Sequence, residues 1–415
     1  MTKPFDIPKQ LFVEAFYHVK ANAGASGVDR QSLEEFELNL KDNTYKLWNR
    51  MSSGSYFPPP VMAVSIPKKS GGTRVLGVPT VSDRIAQQVV RSVFEPQVEV
   101  HFLSDSYGYR PCKSALEAIG ITRKRCWHYD WVLEYDIKGL FDNIPHDLLM
   151  KAVRKHTTCK WVILYIERWL KAPLQTSKTE LVARDRGTPQ GGVISPILSN
   201  LFLHYVFDVW MQRQHSNKKW CRYADDGLIH CQTQEQAQRM LRELRSRFEE
   251  CGLELHPEKT CIVYCKDEQR KENYEKTSFD FLGYTFRGRQ SKSVKYGNKI
   301  FQNFTPAVSQ ASLKAMRKKT KELNWRNRSE LSLEEIAKAS NPVLQGWLNY
   351  YGAYYRSGLD PVWHHFNRTL VAWAMKKYKW LKGRKSEAVM LIDTIARKEP
   401  KLFVHWRLGI THAFV

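Results

Sequence analysis

Arg222–His230 reads RYADDGLIH. Two adjacent carboxylates, Asp225 and Asp226, stand between apolar flanks, with a glycine behind them. The surrounding KKWCRYADDGLIHCQT predicts two short strands joined by a tight turn. Neither acid has a Lys or Arg next to it in the chain. An exposed Asp-Asp-Gly turn is ordinary hairpin chemistry. An unneutralised carboxylate pair is also stable when a divalent cation sits on it. Hard Mg2+ favours carboxylate oxygens and keeps positions open for phosphates.

A second stretch supplies another acid. In EYDIKGLFDNI, Asp136 closes the apolar strand VLEYD. Adjacent strands would bring Asp136 to the 225–226 turn. Three acids can hold two metals about 3.5–4 Å apart, an arrangement suited to in-line phosphoryl transfer. One ion would activate a 3′-hydroxyl and the other would steady leaving pyrophosphate.

Bulk composition agrees with a polyanionic partner. The 415 residues carry 65 Lys plus Arg against 42 Asp plus Glu, a formal charge of +23. Such an excess favours nucleic acid over a neutral ligand. It is concentrated: residues 312–385 hold sixteen Lys/Arg and five Asp/Glu, net +11, interleaved with Trp and Tyr. No apolar run approaches the roughly 18 residues of a membrane helix, and MTKPFDIPKQ has no signal-peptide core. Eight scattered cysteines form no C-x-x-C or zinc-like pairing. Reduced thiols and a cytoplasmic location are expected.

Along the chain, residues 1 to about 55 read as helical, interrupted by the Gly-rich NAGASGVDR. VMAVSIP and TRVLGVP read as strands joined by the basic KKSGG. A helix follows Ser82, another spans 147–169, and GTPQGG leads into a long apolar helix. TQEQAQRMLRELRSRFEECG is a helix ending at Gly252, and short strands run through FDFLGYTF. RGRQSKSVKYGNK reads as a loop or extended arm, so a domain boundary is placed near 290–308, with helices beyond.

These pieces, in order, resemble the reverse transcriptases of group II introns, also called intron-encoded maturases. The resemblance rests on SIPKKSGGTRVLGVPT, SYGYRPCKSA, EYDIKGLFDNIPH, RGTPQGGVISPILSNLFL, RYADDGLIH, HPEKT, FLGYTF and LQGWLNYYGAYY. It implies an α+β right-hand polymerase: fingers, a palm with an antiparallel sheet, and an α-helical thumb. The implied domains are an N-terminal extension with a family-specific loop (1–60), fingers and palm (61–290), a helical thumb or maturase domain X (308–385) and a C-terminal tail (386–415). Asp136, Asp225 and Asp226 would bind two Mg2+ ions, helped by the carbonyl of Ile137. Partners would be an RNA template, a DNA or RNA primer, deoxynucleoside triphosphates and a group II intron RNA. No membrane is implied, and a homodimer is an open option.

The resemblance also assigns a nucleotide pocket. Phe141 stands at the steric-gate position, where a ring would exclude a ribose 2′-hydroxyl. Lys68 and Arg74 flank the fingers hairpin and suit a triphosphate, Arg as a fork and Lys as a point charge. Lys69 offers the same chemistry, and the sequence does not choose between the two lysines. Gln190 in TPQGG would touch the incoming nucleotide. Lys259 in HPEKT would protonate pyrophosphate. Phe281, Leu282, Gly283 and Tyr284 match the primer grip, although these aromatics serve equally as core. RNA contacts are assigned to Lys314, Arg317, Lys318, Arg326, Trp347, Tyr350, Tyr351, Arg368, Lys376 and Lys377 as a group.

The extra N-terminal loop would cover the template strand. With no Cys/His pairs after residue 265, DNA cleavage is not expected of this chain. RNA-directed DNA synthesis coupled to intron binding and splicing is the expected function. Two alternatives stand beside it: a free-standing polymerase serving DNA repair or phage defence, and a non-catalytic RNA chaperone.

Overall fold

A computed structural model describes residues 3–67, 72–177, 180–293 and 299–411. The chain forms two compact units, Met1–Ala118 with Leu133–Ile262, and Ile119–Val132 with Val263–Val415.

The first unit opens with α1 (Gln10–Ala21), α2 (Leu33–Leu38) and α3 (Leu40–Ser52). Ser32 and Glu35 cap α2 reciprocally, each side chain taking the other's backbone N–H. The interruption between α1 and α2 is a loop, as its composition predicts. It is fastened by buried Arg84, which donates to the carbonyls of Ala23 (3.2 Å) and Ala25 (2.8 Å). Strands β1 (Val61–Pro67) and β2 (Thr73–Val78) pair antiparallel, Met62 opposite Val78. Lys68 and Lys69, in their connection, lie outside the described residues. Helix α4 (Val81–Glu99) begins where Thr80 caps the N–H of Asp83, and it buries Ile85, Val89, Val90 and Phe94.

Next come α5 (Ala115–Cys126), β3 (Trp131–Asp136), α6 (Leu140–Asn143), α7 (His146–His156) and α8 (Lys160–Lys171). The single helix expected over 147–169 is therefore two. The break falls at Thr157, which is extended (φ −146°, ψ 140°) and whose hydroxyl accepts from Cys159 N. Two consecutive β-branched threonines, with a hydroxyl competing for backbone bonds, favour that break. Strands β4 (Leu174–Gln175) and β5 (Leu181–Val182) are too short to show periodicity in sequence. They extend the first sheet to the order β2-β1-β4-β5, with β4 parallel to β1.

The apolar run after GTPQGG becomes α9 (Ser195–Leu203), one π-helical turn (His204–Asp208) and α10 (Val209–Gln214). Strands β6 (Lys219–Tyr223) and β7 (Asp226–Cys231), helix α11 (Gln234–Glu250) and β8 (Cys261–Tyr264) follow. The sheet order β6-β7-β3-β8 sets the strand ending in Asp136 beside the hairpin carrying Asp225. Gly227 permits this closeness: a Cβ there would lie 2.2 Å from the Tyr135 ring.

The second unit contains β9 (Ser278–Phe281), β10 (Tyr284–Ser293) and β11 (Lys299–Val308), in the order β11-β10-β9. Of the stretch read as a loop or extended arm, Arg287–Ser293 is strand, within a ladder in register from Tyr284–Val308 to Ser293–Lys299, and 294–298 lie outside the described residues. The cross-strand ladder keeps the described residues of 284–308 within the second unit, which the chain re-enters at Val263. The Lys, Arg, Ser and Gly content of 287–293 masked the strand.

Helices α12 (Gln310–Leu323), α13 (Leu333–Tyr351), α14 (Asp360–Lys377) and α15 (Lys385–Lys398) complete this unit. Their core holds Trp363, Trp373, Leu370 and Ile392, joined by Phe403, Val404 and Trp406. Residues 386–411 are therefore core-forming, not a tail. Buried His405 meets Asn367 Oδ1 at 2.6 Å, and Trp406 donates to the same oxygen at 3.0 Å. Full burial pushes His405 down to about 3, so it stays neutral.

Candidate functional site

The turn between β6 and β7 is two residues, Ala224 and Asp225, with Ala224 in the left-handed region (φ 56°). Arg222 holds it from below. Its guanidinium is fully buried and makes a two-pronged bond to Asp208 (2.7 and 2.8 Å). It also donates to Asn200 Oδ1, Ser106 Oγ and the carbonyl of Ala224. Asn200 in turn donates to the carbonyl of Gly108 (2.6 Å). The SYGYRP segment runs beside β6, with Tyr107 N bonded to Arg222 O at 2.9 Å. A Cβ at Gly108 would lie 2.4 Å from Ala224 N, so that position needs glycine. Sequence reading missed Arg222 and Asp208. Both lie in the quoted motifs or beside them, but their pairing spans separate elements.

Asp136 ends β3 and is 8% exposed. Its carbonyl accepts from His256 N (2.8 Å), while Lys138 N donates to Glu254 O (2.9 Å). This pairing flanks Ile137 and fixes the strand end against the HPEKT segment. Lys259 from that segment reaches Asp136 Oδ2 at 2.9 Å. Burial raises Asp225, and the Asp136 charge adds to it. Asp226 is pushed up to about 8 by burial, by Asp225 and by a shared hydrogen bond with Asp136. Lys259 is raised, against burial, by its bond to Asp136 and by the neighbouring acids. The three predicted acids are thus brought together electrostatically, and a cation distant in sequence reaches them.

Among the described residues, no three His, Cys, Asp or Glu side chains stand closely enough to hold an ion as placed. The donor chemistry nonetheless fits a hard cation. The acids are oxygen donors, and their mutual repulsion exceeds what one ammonium offsets.

Phe141 lies half-buried just past this cluster, on α6, so it is not plain core. Its ring meets Tyr109 edge-on at 6.5 Å, and its carbonyl accepts from Thr188 N. Gln190 donates to Asp142 Oδ2 (2.9 Å), and its carbonyl accepts from Gly77 N on β2 (2.7 Å). Gly191 (φ 119°) lets these backbones touch: a Cβ would lie 2.5 Å from Gly77 O. Arg74 is exposed on β2 and close enough to influence Tyr109. Tyr109 faces Asp225 and Asp226 as well, and burial beside these acids raises its phenol. It sits at φ 56°, 50% exposed. Its motif was visible in sequence, but its place at the acids was not.

In the second unit, Phe281 and Tyr284 are buried, with Leu282 and Gly283 in the left-handed region between them. Tyr284 donates to the carbonyl of Tyr350, and Tyr350 donates to that of Leu282 (2.8 Å). Trp347 and Tyr351 pack against the helical core. Lys377 donates to the carbonyls of Ser329 and Leu331, and Lys376 to Asn327. These aromatics and two lysines therefore have internal partners. Lys314, Lys318, Arg326 and Arg368 are exposed, and Arg317 is half-buried.

A right-handed polymerase palm, with carboxylates on a turn and on the adjacent strand end, defines a template-copying nucleotidyltransferase. Residues 66–286 match the reverse transcriptase (RNA-dependent DNA polymerase) family, and the chain belongs to that family. Residues 313–389 match the group II intron maturase-specific domain. The chain is similar to protein YkfC of Escherichia coli K12, 30% identical over 65% of this chain and 78% of that protein. It is also similar to the group II intron-encoded protein LtrA of Lactococcus lactis subsp. cremoris, 27% identical over 70% of this chain. It spans 57% of LtrA's length. A telomerase structure from Candida albicans, in complex with a telomeric RNA fragment, aligns over 89% of this chain and 70% of its own at 13% identity, TM-score 0.45. Among the described residues no helix is long and apolar enough to cross a membrane.

Proposed function

We propose that the protein copies RNA into DNA by extending a primer 3′-hydroxyl, and that its maturase-specific domain binds a group II intron RNA and promotes splicing. The observation that carries the polymerase reading is the meeting of Asp136 with Asp225 and Asp226 beside one lysine. Asp136, Asp225 and Asp226 would hold two Mg2+ ions, with the carbonyl of Ile137 assisting. Magnesium, when bound, supplies Lewis acidity to the attacking and departing oxygens. Lys259, held by Asp136, delivers a proton toward pyrophosphate. Arg74 takes the triphosphate of a deoxynucleotide, and Phe141, braced by Tyr109, fills the space of a 2′-hydroxyl. Gln190 is positioned by Asp142, next to that ring. The Leu282–Gly283 turn, seated by buried Phe281 and Tyr284, grips the primer.

Primer extension on poly(rA)/oligo(dT) with Mg2+ tests this. Incorporation is expected from the parent, and Asp225→Ala should lose at least about 10²–10³-fold. A folded parent that incorporates nothing, and is indistinguishable from Asp225→Ala, would leave the RNA chaperone reading.

A further inference from the structure

A cavity of about 220 Å³ in the second unit is lined by Arg287, Arg289, Gln310, Tyr355 and Ser357 on its polar side. Among the described residues no carboxylate lines it. Ala307, Val308, Leu313 and Pro361 form an apolar wall. Arg289 is fixed at one end: its Nη1 donates to the carbonyls of Thr285 and Thr305. Its guanidinium lies 5.9 Å from the Tyr355 ring centre. Nε and Nη2 of Arg289 have no hydrogen-bond partner among the described residues. Burial and the Arg287 charge depress Arg289 to about 10. Asp280 is the acid that offsets it, and Asp280 already accepts from Thr285 Oγ1.

We infer that this cavity seats a sugar–phosphate segment of a nucleic-acid strand, in a sequence-independent contact. Two guanidiniums, a phenol, a hydroxyl and an amide converge, a donor set that matches phosphate oxygens. The apolar wall matches a sugar ring. The volume is below the roughly 300–1,000 Å³ of pockets that enclose drug-sized ligands, so a base stays outside. Arg289 is held before binding, so little side-chain freedom is lost on contact. The cavity lies on β10 and β11, directly after the Phe281–Tyr284 segment in sequence. The inference rests on the reading of this chain as a polymerase of nucleic acid, but its test needs no catalysis.

Binding of an RNA/DNA primer–template to the full chain is measured against salt for the parent, Arg287→Gln, Arg289→Gln and Arg289→Lys. Arg397→Gln, remote in the chain, controls for loss of one charge. Both Gln variants should bind about 5–10-fold more weakly, with the slope of log K against log salt shallower by about one. Arg289→Lys should recover part of the affinity, since charge returns without the fork. The control should change less than twofold. Arg287 is exposed, so Arg287→Gln keeps the test valid if Arg289→Gln misfolds. Unchanged affinity and slope in folded Arg287→Gln would overturn the inference. So would tight calorimetric binding of inorganic phosphate, lost in the Gln variants while primer–template affinity stays at the parent value.

Discussion

At the residue scale, Phe141 and Arg222 show two ways a side chain matters. Phe141 is half-buried and meets Tyr109 at its edge, so its ring is held without being locked in core. Truncating it opens space without leaving an unpaired polar group. Phe141→Ala should therefore raise ribonucleotide use relative to deoxynucleotide use at least about tenfold, the scale of a lost steric contact. Equal selectivity ratios in single-nucleotide incorporation would remove Phe141 from that role. Arg222 works through burial. Arg222→Met would leave Asp208 ionised and enclosed, a loss of about 3–5 kcal/mol. The double variant Arg222→Met with Asp208→Asn should regain much of that, read from urea midpoints at constant m. The acids were legible because chemistry demands them in contiguous motifs. Arg222 was not, because its partners Ser106, Asn200 and Asp208 come from elements that meet only in the folded chain.

At the element scale, the strands at 61–67 and 73–78, the helix expected after Ser82 and the hairpin around the acids were legible from alternation and turn residues, although that helix starts at Val81 behind a Thr80 cap. Where the pattern was weak, the reading failed for identifiable reasons. The two-residue strands β4 and β5 carry no period, and β10 is hidden by basic, Ser-rich composition. The lysines at the end of α14 are instructive. Composition groups Lys376 and Lys377 with RNA-binding candidates, but Lys377 Nζ sits 3.1 Å from Ser329 O and 2.8 Å from Leu331 O. It ties the C-terminal end of α14 to the loop before α13. Lys377→Met should therefore cost about 1 kcal/mol, the net value of a typical hydrogen bond. For a unit of this size that is a drop of about 2–4 °C in its unfolding temperature. A variant that melts like the parent while losing RNA affinity would return Lys377 to the RNA surface.

At the scale of the whole molecule, the charge of +23 acts over distances that no single contact covers. It was legible from composition alone, since a sum of charges needs no fold. What composition could not give is which cations remain available. Several are engaged internally: Arg222 with Asp208, Lys259 with Asp136, Arg270 with Asp267. The exposed remainder, including Lys314, Arg326 and Arg368, faces solvent. Such a surface gathers phosphates by releasing their condensed counterions, so the sum over contacts sets affinity for any duplex. Six to ten neutralised phosphates would lower binding of an unrelated RNA/DNA hybrid by about 10³–10⁵-fold between 50 and 200 mM salt. Fluorescence anisotropy across that range measures it directly. A change below about tenfold would mean that few cations touch phosphate, and that the excess charge serves solubility instead. The same titration with the intron RNA proposed as its partner should fall less steeply in proportion to its total binding energy, because shape-specific contacts add affinity without releasing counterions.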